Sequence, residues 1–139
     1  MNILEIALSF WGEREIVGEV DNPVIVNFSK ATNLEVSDDE TPWCSSFINY
    51  CAREIGAERS GKANARSWLD VGRKTTLPEV GDIVIFKRGN STWQGHVGIF
   101  IRKKDGFVYV LGGNQSNTVK ISPYNENDVL GYRKLTTFV

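Results

Sequence analysis

Two residues of this chain have settings that suit joint chemistry. Cys44 lies in Pro42-Trp43-Cys44-Ser45-Ser46-Phe47, where an apolar-periodic helix should begin. His96, the single histidine, lies in Gly95-His96-Val97-Gly98 at the head of an apolar run. A thiol attacks carbonyls as its thiolate, so it needs a lowered pKa and a proton acceptor. A helix N-terminus favours the anion through its partial positive charge, and His96 is the only imidazole available as the base. The backbone N–H of Cys44 would then face the oxyanion of a tetrahedral intermediate. Cys51, on the apolar stripe of the same helix, is expected in the core.

An imidazole acting as a base needs a third group to set its tautomer. Leu111-Gly112-Gly113-Asn114-Gln115 leaves the hairpin partner of the histidine strand, so register selects the candidate. A bulged three-residue turn pairs 103 with 107 and brings Asn114 opposite His96. A two-residue type I′ turn at Asp105-Gly106 pairs 104 with 107 and brings Gln115 there instead. Lys103-Lys104-Asp105-Gly106 suits the bulged turn slightly better, so Asn114 leads. Trp43, Trp68 and Trp93 read either as walls of a groove or as core. Trp43, Gly95 and Gln115 are taken as the substrate contacts.

The elements that must position these groups fall into two halves. Helical spacing runs from 1 to about 72, and strand spacing from about 77 to 139. Ile3, Leu4, Ala7, Leu8 and Trp11 form one helical face, closed by Gly12. Asn22-Pro23 caps a second helix bearing Val24, Ile25 and Phe28, with Asn33 as its stop. After a polar loop over 36–41, a third helix starts near Pro42 or Trp43, with Thr41 as a cap. It buries Phe47, Ile48, Cys51 and Ile55 and ends at Gly56. A shorter helix covers 63–71 with Ala65, Trp68 and Leu69 inward. Strands follow at 83–86, 97–102, 107–111, 119–121 and 131–133. The expected fold class is α+β, helices first and then an antiparallel sheet, in a single domain over 1–139.

The 139 residues carry 16 basic and 17 acidic side chains, a formal net charge of −1. A nucleic-acid binder would show a basic excess or stripe, and this chain shows neither. The two cysteines would lie roughly 10 Å apart along one helix, too far for a disulfide. One histidine and no Cys-x-x-Cys leave no zinc pattern, so neither metal nor cofactor is expected. No run reaches the ~18 apolar residues that span a bilayer, so no membrane insertion is expected. The N-terminal stretch has no basic leader and carries Glu5 within its apolar run. The expectation is synthesis in the cytoplasm without a signal peptide.

Taken in order, Pro-Trp-Cys-Ser-Ser-Phe, Gly-Asp-Ile-Val-Ile-Phe, Gly-His-Val-Gly-Ile-Phe and Gly-Gly-Asn-Gln resemble the CHAP and NlpC superfamily of cell-wall hydrolases. Trp11 to Ile16 and Asn22-Pro23 are similar to a phage- and prophage-associated branch. The resemblance covers nearly the whole chain. It implies a papain-like fold and a cofactor-free cleavage of amide bonds in peptidoglycan. Cys44 would be the nucleophile, His96 the base and Asn114 the third polar residue. Members often carry an acid two positions before that Asn, where this chain has Gly112; that departure points to Gln115 as an alternative orienter. The resemblance further implies a monomer acting in the periplasm or cell wall after help from a holin or secretion apparatus, with an immunity or export protein as a possible partner. A papain-like hydrolase or deamidase acting on a protein, and a non-catalytic binding module, are the competing classes.

Overall fold

The computed structural model describes residues 2–14, 22–28, 31–32 and 43–137. Helix α1, Ile3–Leu8, opens with a capping box. The Asn2 side chain accepts from the Glu5 N–H at 2.9 Å, and the Glu5 carboxylate accepts from the Asn2 N–H at 3.2 Å. The helix stops before Trp11, which is 55% exposed rather than on the buried face. Gly12 has φ 87°, and its N–H donates to the Val119 carbonyl. Helix α2 is Pro23–Phe28, with the Asn22 side chain accepting from the Val24 N–H at 2.9 Å. Asn33, the loop 36–41 and the Thr41 cap lie outside the described residues.

Helix α3, Cys44–Glu54, buries Phe47, Ile48 and Cys51 at helical spacing and ends at Gly56, whose φ of 69° suits a glycine. Phe28 meets Phe47 and Phe10 edge-on, with ring centroids 5.1 and 5.2 Å apart, and this joins the three helices. The region expected to be helical over 63–71 is a 3-10 helix, Ala65–Asp70, with Ala65 and Trp68 buried as expected and Leu69 only partly buried. A buried polar network ties α3 to the loop that follows it. The Asn49 amide donates to the Ser45 and Lys62 carbonyls, and its oxygen accepts from the Gly61 N–H at 2.7 Å. Ser45 Oγ donates to the Lys62 carbonyl and accepts from the Trp68 indole.

The strands are β1 (Arg73–Thr75), β2 (Ile83–Lys87), β3 (Gly95–Lys104), β4 (Phe107–Gln115), β5 (Thr118–Asn125) and β6 (Val129–Lys134). They form one antiparallel sheet in the order β1-β6-β2-β3-β4-β5. The expected α+β architecture is the observed one; β1, only three residues long, is an addition to it. Ile83, Ile85, Val97, Ile99 and Leu111 pack under the helices. Val84, Phe86, Phe100, Val108 and Val110 alternate onto the other face and are also buried.

That second face has no helix over it among the described residues, so curling of the sheet must bury it. The connection between β5 and β6 shows the curl. Four strand spacings separate them in the sheet, about 19 Å if flat. Only the 3-10 helix Glu126–Asp128 joins them. Four residue steps reach at most about 14 Å, so β5 and β6 have to fold toward each other. Lys103 pairs with Glu126 at 2.9 Å across that closure.

Asn49 sits in this architecture as a fully buried amide whose oxygen and nitrogen are both hydrogen-bonded. Asn49→Ala should destabilise the fold by about 2–3 kcal/mol, because the Gly61 N–H and Lys62 carbonyl lose a buried partner. Urea denaturation should show this as a lowered midpoint with an unchanged slope.

Candidate active site

Trp43 is the N-cap residue of α3, and Cys44 is its first residue, at the positive end of an eleven-residue helix. His96 is the second residue of β3 and pairs with Phe86 of β2. The β3–β4 ladder runs from Lys104 and Phe107 to Ile99 and Leu111. Beyond it, the first turn of α3 packs onto β4 at Gly113. A Cβ there would lie 2.6 Å from the Trp43 ring and 2.9 Å from Phe47 Cβ. Only glycine permits that approach, and the approach carries Cys44 to the head of β3.

Cys44 and His96 are both buried, and His96 is near enough to act on the thiol. Burial pushes the Cys44 thiol up. The charge and hydrogen bond of His96, the Val97 N–H and the charge of Arg88 outweigh that and hold it below the ordinary thiol value. Cys51 is the internal comparison: burial and the nearby Glu54 push it far up, leaving an inert core thiol.

The histidine tautomer follows from a third side chain. Gln115 Oε1 lies 2.9 Å from His96 Nε2. The Gln115 amide nitrogen donates to the Val110 carbonyl at 3.3 Å and to the Lys120 carbonyl at 2.5 Å. With both carbonyls claiming the NH₂, the amide oxygen must face the ring and accept from it. The proton therefore sits on Nε2, and Nδ1 is left for the thiol.

Gln115, not Asn114, makes this contact. The turn is also not the bulged one that favoured Asn114. Asp105 and Gly106 have φ of 53° and 82°, a type I′ turn, and Lys104 pairs with Phe107. A bulge between Phe100 and Arg102 then shifts the ladder by one residue. A second irregularity, between Gly112 and Gln115, contains Asn114 at a left-handed φ of 59°. The backbone turns there, and the next side chain goes inward. Gly112 makes room for it: a Cβ at 112 would lie 2.8 Å from Gln115 Oε1 and 3.4 Å from His96 Nε2. The Gln115 amide occupies the space above the position where the resemblance expected an acid.

The other expected contacts divide. Trp43 is 3% exposed, packed on Phe28 and over Gly113, so it is core and offers a substrate no face. Trp68 is core as well, whereas Trp93 is 70% exposed on the loop before His96. Gly95 is glycine because a Cβ would lie 2.5 Å from the Phe86 carbonyl oxygen. Sequence reasoning missed Arg66, which holds that loop through the Gln94 and Ser91 carbonyls at 2.8 and 2.7 Å. It also missed Arg88 and Tyr124, whose ring stacks on His96. Among the described residues no group of three or more His, Cys, Asp or Glu is placed to hold a metal.

The CHAP domain model matches residues 36–114, more than half of the chain, and the chain belongs to this family of cysteine amidohydrolases and peptidases. Its fold is similar to NlpC1 from Trichomonas vaginalis, at 18% identity and a TM-score of 0.53 over 97% of this chain and 44% of that one. It is also similar to a lipoprotein-like NLP/P60 protein from Staphylococcus aureus subsp. aureus Mu50, at 18% identity and a TM-score of 0.51 over 95% and 39%. The chain thus spans less than half the length of either. No curated protein matches it.

Two outcomes test this geometry. Gln115→Ala should lower kcat/KM about 10–100-fold, while Asn114→Ala should cost less than about threefold, measured side by side on one substrate. Iodoacetamide should alkylate Cys44 in the folded protein below the ordinary thiol range and leave Cys51 untouched until denaturant is added. In His96→Ala the burial that raises the Cys44 pKa remains and its largest opposing influence is gone, so the alkylation midpoint should move up in pH.

Proposed function

We propose that this chain hydrolyses amide bonds of peptidoglycan by thiol acyl transfer, with Cys44 as nucleophile, His96 as acid and base, and Gln115 as the group that orients His96. One observation carries the reading: the buried Cys44–His96 contact at the start of α3, with the far nitrogen of the ring fixed by Gln115. Membership of the CHAP family, whose domains bind and cleave peptidoglycan, supports the substrate class.

The Cys44 thiolate attacks the carbonyl carbon of the amide, and the carbonyl electrons move to its oxygen. The Cys44 backbone N–H, one of the donors a helix start leaves without an intrahelical partner, faces that oxyanion. When the oxyanion collapses, the C–N bond breaks and the amine leaves with the proton from His96 Nδ1. A water then gives a proton back to Nδ1 and attacks the thioester carbon, which frees the carboxylic acid and restores the thiolate. Every proton passes through the one nitrogen that Gln115 leaves facing the thiol.

The likeness of the N-terminal stretch to phage-associated sequences supports use as a lysin, released to the wall by a holin. The bond cut is either the one joining muramic acid to L-Ala or one within the stem peptide. Mass spectrometry of muropeptides from purified sacculi tests activity and bond together. Wild type should release fragments with one new amine and one new carboxylate or lactyl terminus, and Cys44→Ala should release less than about a thousandth as much. Sacculus digestion that survives Cys44→Ala would falsify the thiol mechanism.

A further inference from the structure

Tyr124 is far from His96 along the sheet and yet touches it. On β5 it pairs with Val108 of β4, which pairs with Lys103 of β3, seven residues from His96. In a flat sheet that offset is roughly 23 Å. The curl of the sheet removes it: the Tyr124 and His96 rings lie 4.9 Å apart at 26°, and Tyr124 and Phe86 lie 4.8 Å apart at 30°. Phe86 and His96 are themselves 6.3 Å apart at 28°. Three nearly parallel rings from three strands thus meet beside the thiol, in the offset arrangement aromatic faces prefer.

We propose that Tyr124 is a positioning residue for His96: its ring covers one face of the imidazole and fixes its tilt, while Gln115 fixes its rotation through the edge. A single hydrogen bond to Nε2 leaves the ring free to swing about the bond axis, which would move Nδ1 off the thiol. A ring stacked on the face blocks that swing. The hydroxyl is not the agent. Burial first, then the neighbouring Cys44, pushes Tyr124 up to about 12, so it stays protonated and neutral through the working range.

This role rests on the proposed Cys44–His96 chemistry, and its test separates the two. Around the couple, α3 contributes Cys44 itself, Arg88 follows β2, Tyr124 comes from β5, and Gln115 on β4 is neutral. Tyr124→Met fills the space without a ring; Tyr124→Leu is the second such variant. Either should lower kcat/KM about 10–100-fold and narrow the bell-shaped pH profile from its acid side. The acid limb should rise because a tilted imidazolium stabilises the thiolate less. Tyr124→Phe, which keeps the ring, should lose less than about threefold and keep the wild-type width.

A full rate in the ringless variants, a loss with unchanged width, or an equal loss in Tyr124→Phe would each overturn the proposal. A readout on the unaltered protein covers the case where both ringless variants fail to fold. His96 is the only histidine, so its ring-proton NMR signals are identified by composition, and the stack should move them upfield of a free histidine. Signals at the free position would sink the stack. If the wild type cleaves no sacculus, the acid limb is read from Cys44 alkylation, so a wrong substrate does not decide the outcome.

Discussion

The arrangement depends on keeping a thiol and an imidazole together out of water. Desolvation alone favours a neutral thiol, and Cys51 shows that outcome about two turns further along the same helix. Cys44 has the same burial problem and the opposite result, because His96, the Val97 N–H and Arg88 act on it at once. All three influences require the first turn of α3 to meet the head of β3. The glycines around the couple follow from this. Gly113 lets Trp43 and Phe47 come down onto β4, Gly112 leaves space for the Gln115 amide, and Gly95 lets β3 pass close to the Phe86 carbonyl.

Closure of the sheet is the second requirement, and it connects the site to distant parts of the chain. A flat six-stranded sheet would expose Val84, Phe86, Phe100, Val108 and Val110. Curling buries them against one another and brings Tyr124 to His96. The short link from β5 to β6 enforces the curl, and Lys103–Glu126 spans it. That ion pair lies at the surface, where solvent screens it, and contributes little by itself. The buried apolar face carries the closure. The site's geometry is therefore a consequence of packing on the side of the sheet away from the helices.

The sequence showed some of this directly. Helix-first order, the start of α3, the strand bearing His96 and the core role of Cys51 are all expressed in local periodicity and end signals. The third polar residue was not so accessible. Its position depends on a turn and two irregularities, and each shifts the register by one residue. Asp105-Gly106 is a type I′ signature, but the bulge at Ile101 and the left-handed Asn114 have no equivalent mark in a period-two pattern. Trp43 stayed open between groove wall and core because aromatic type does not reveal whether a ring sits beside a glycine on a facing strand. Tyr124 and Arg66 were invisible for a related reason: their partners lie across the curl or across a loop, at separations no local spacing encodes.

The choice of Gln115 over a carboxylate has an electrostatic reason. An acid in the space above Gly112 would orient the imidazole just as well, and its charge would favour the imidazolium. It would also bring a second negative charge toward a buried thiolate, which disfavours that thiolate. An amide with both N–H groups held by the Val110 and Lys120 carbonyls orients the ring while adding no charge. Among the described residues, the full charges acting on the thiol are those of His96 and Arg88, and both lower its pKa. The neutral orienter holds the ring at its edge, and the face of Tyr124 holds its tilt. Departure from the expected acid at position 112 is thus matched by two groups from other strands, one at the edge of the imidazole and one on its face.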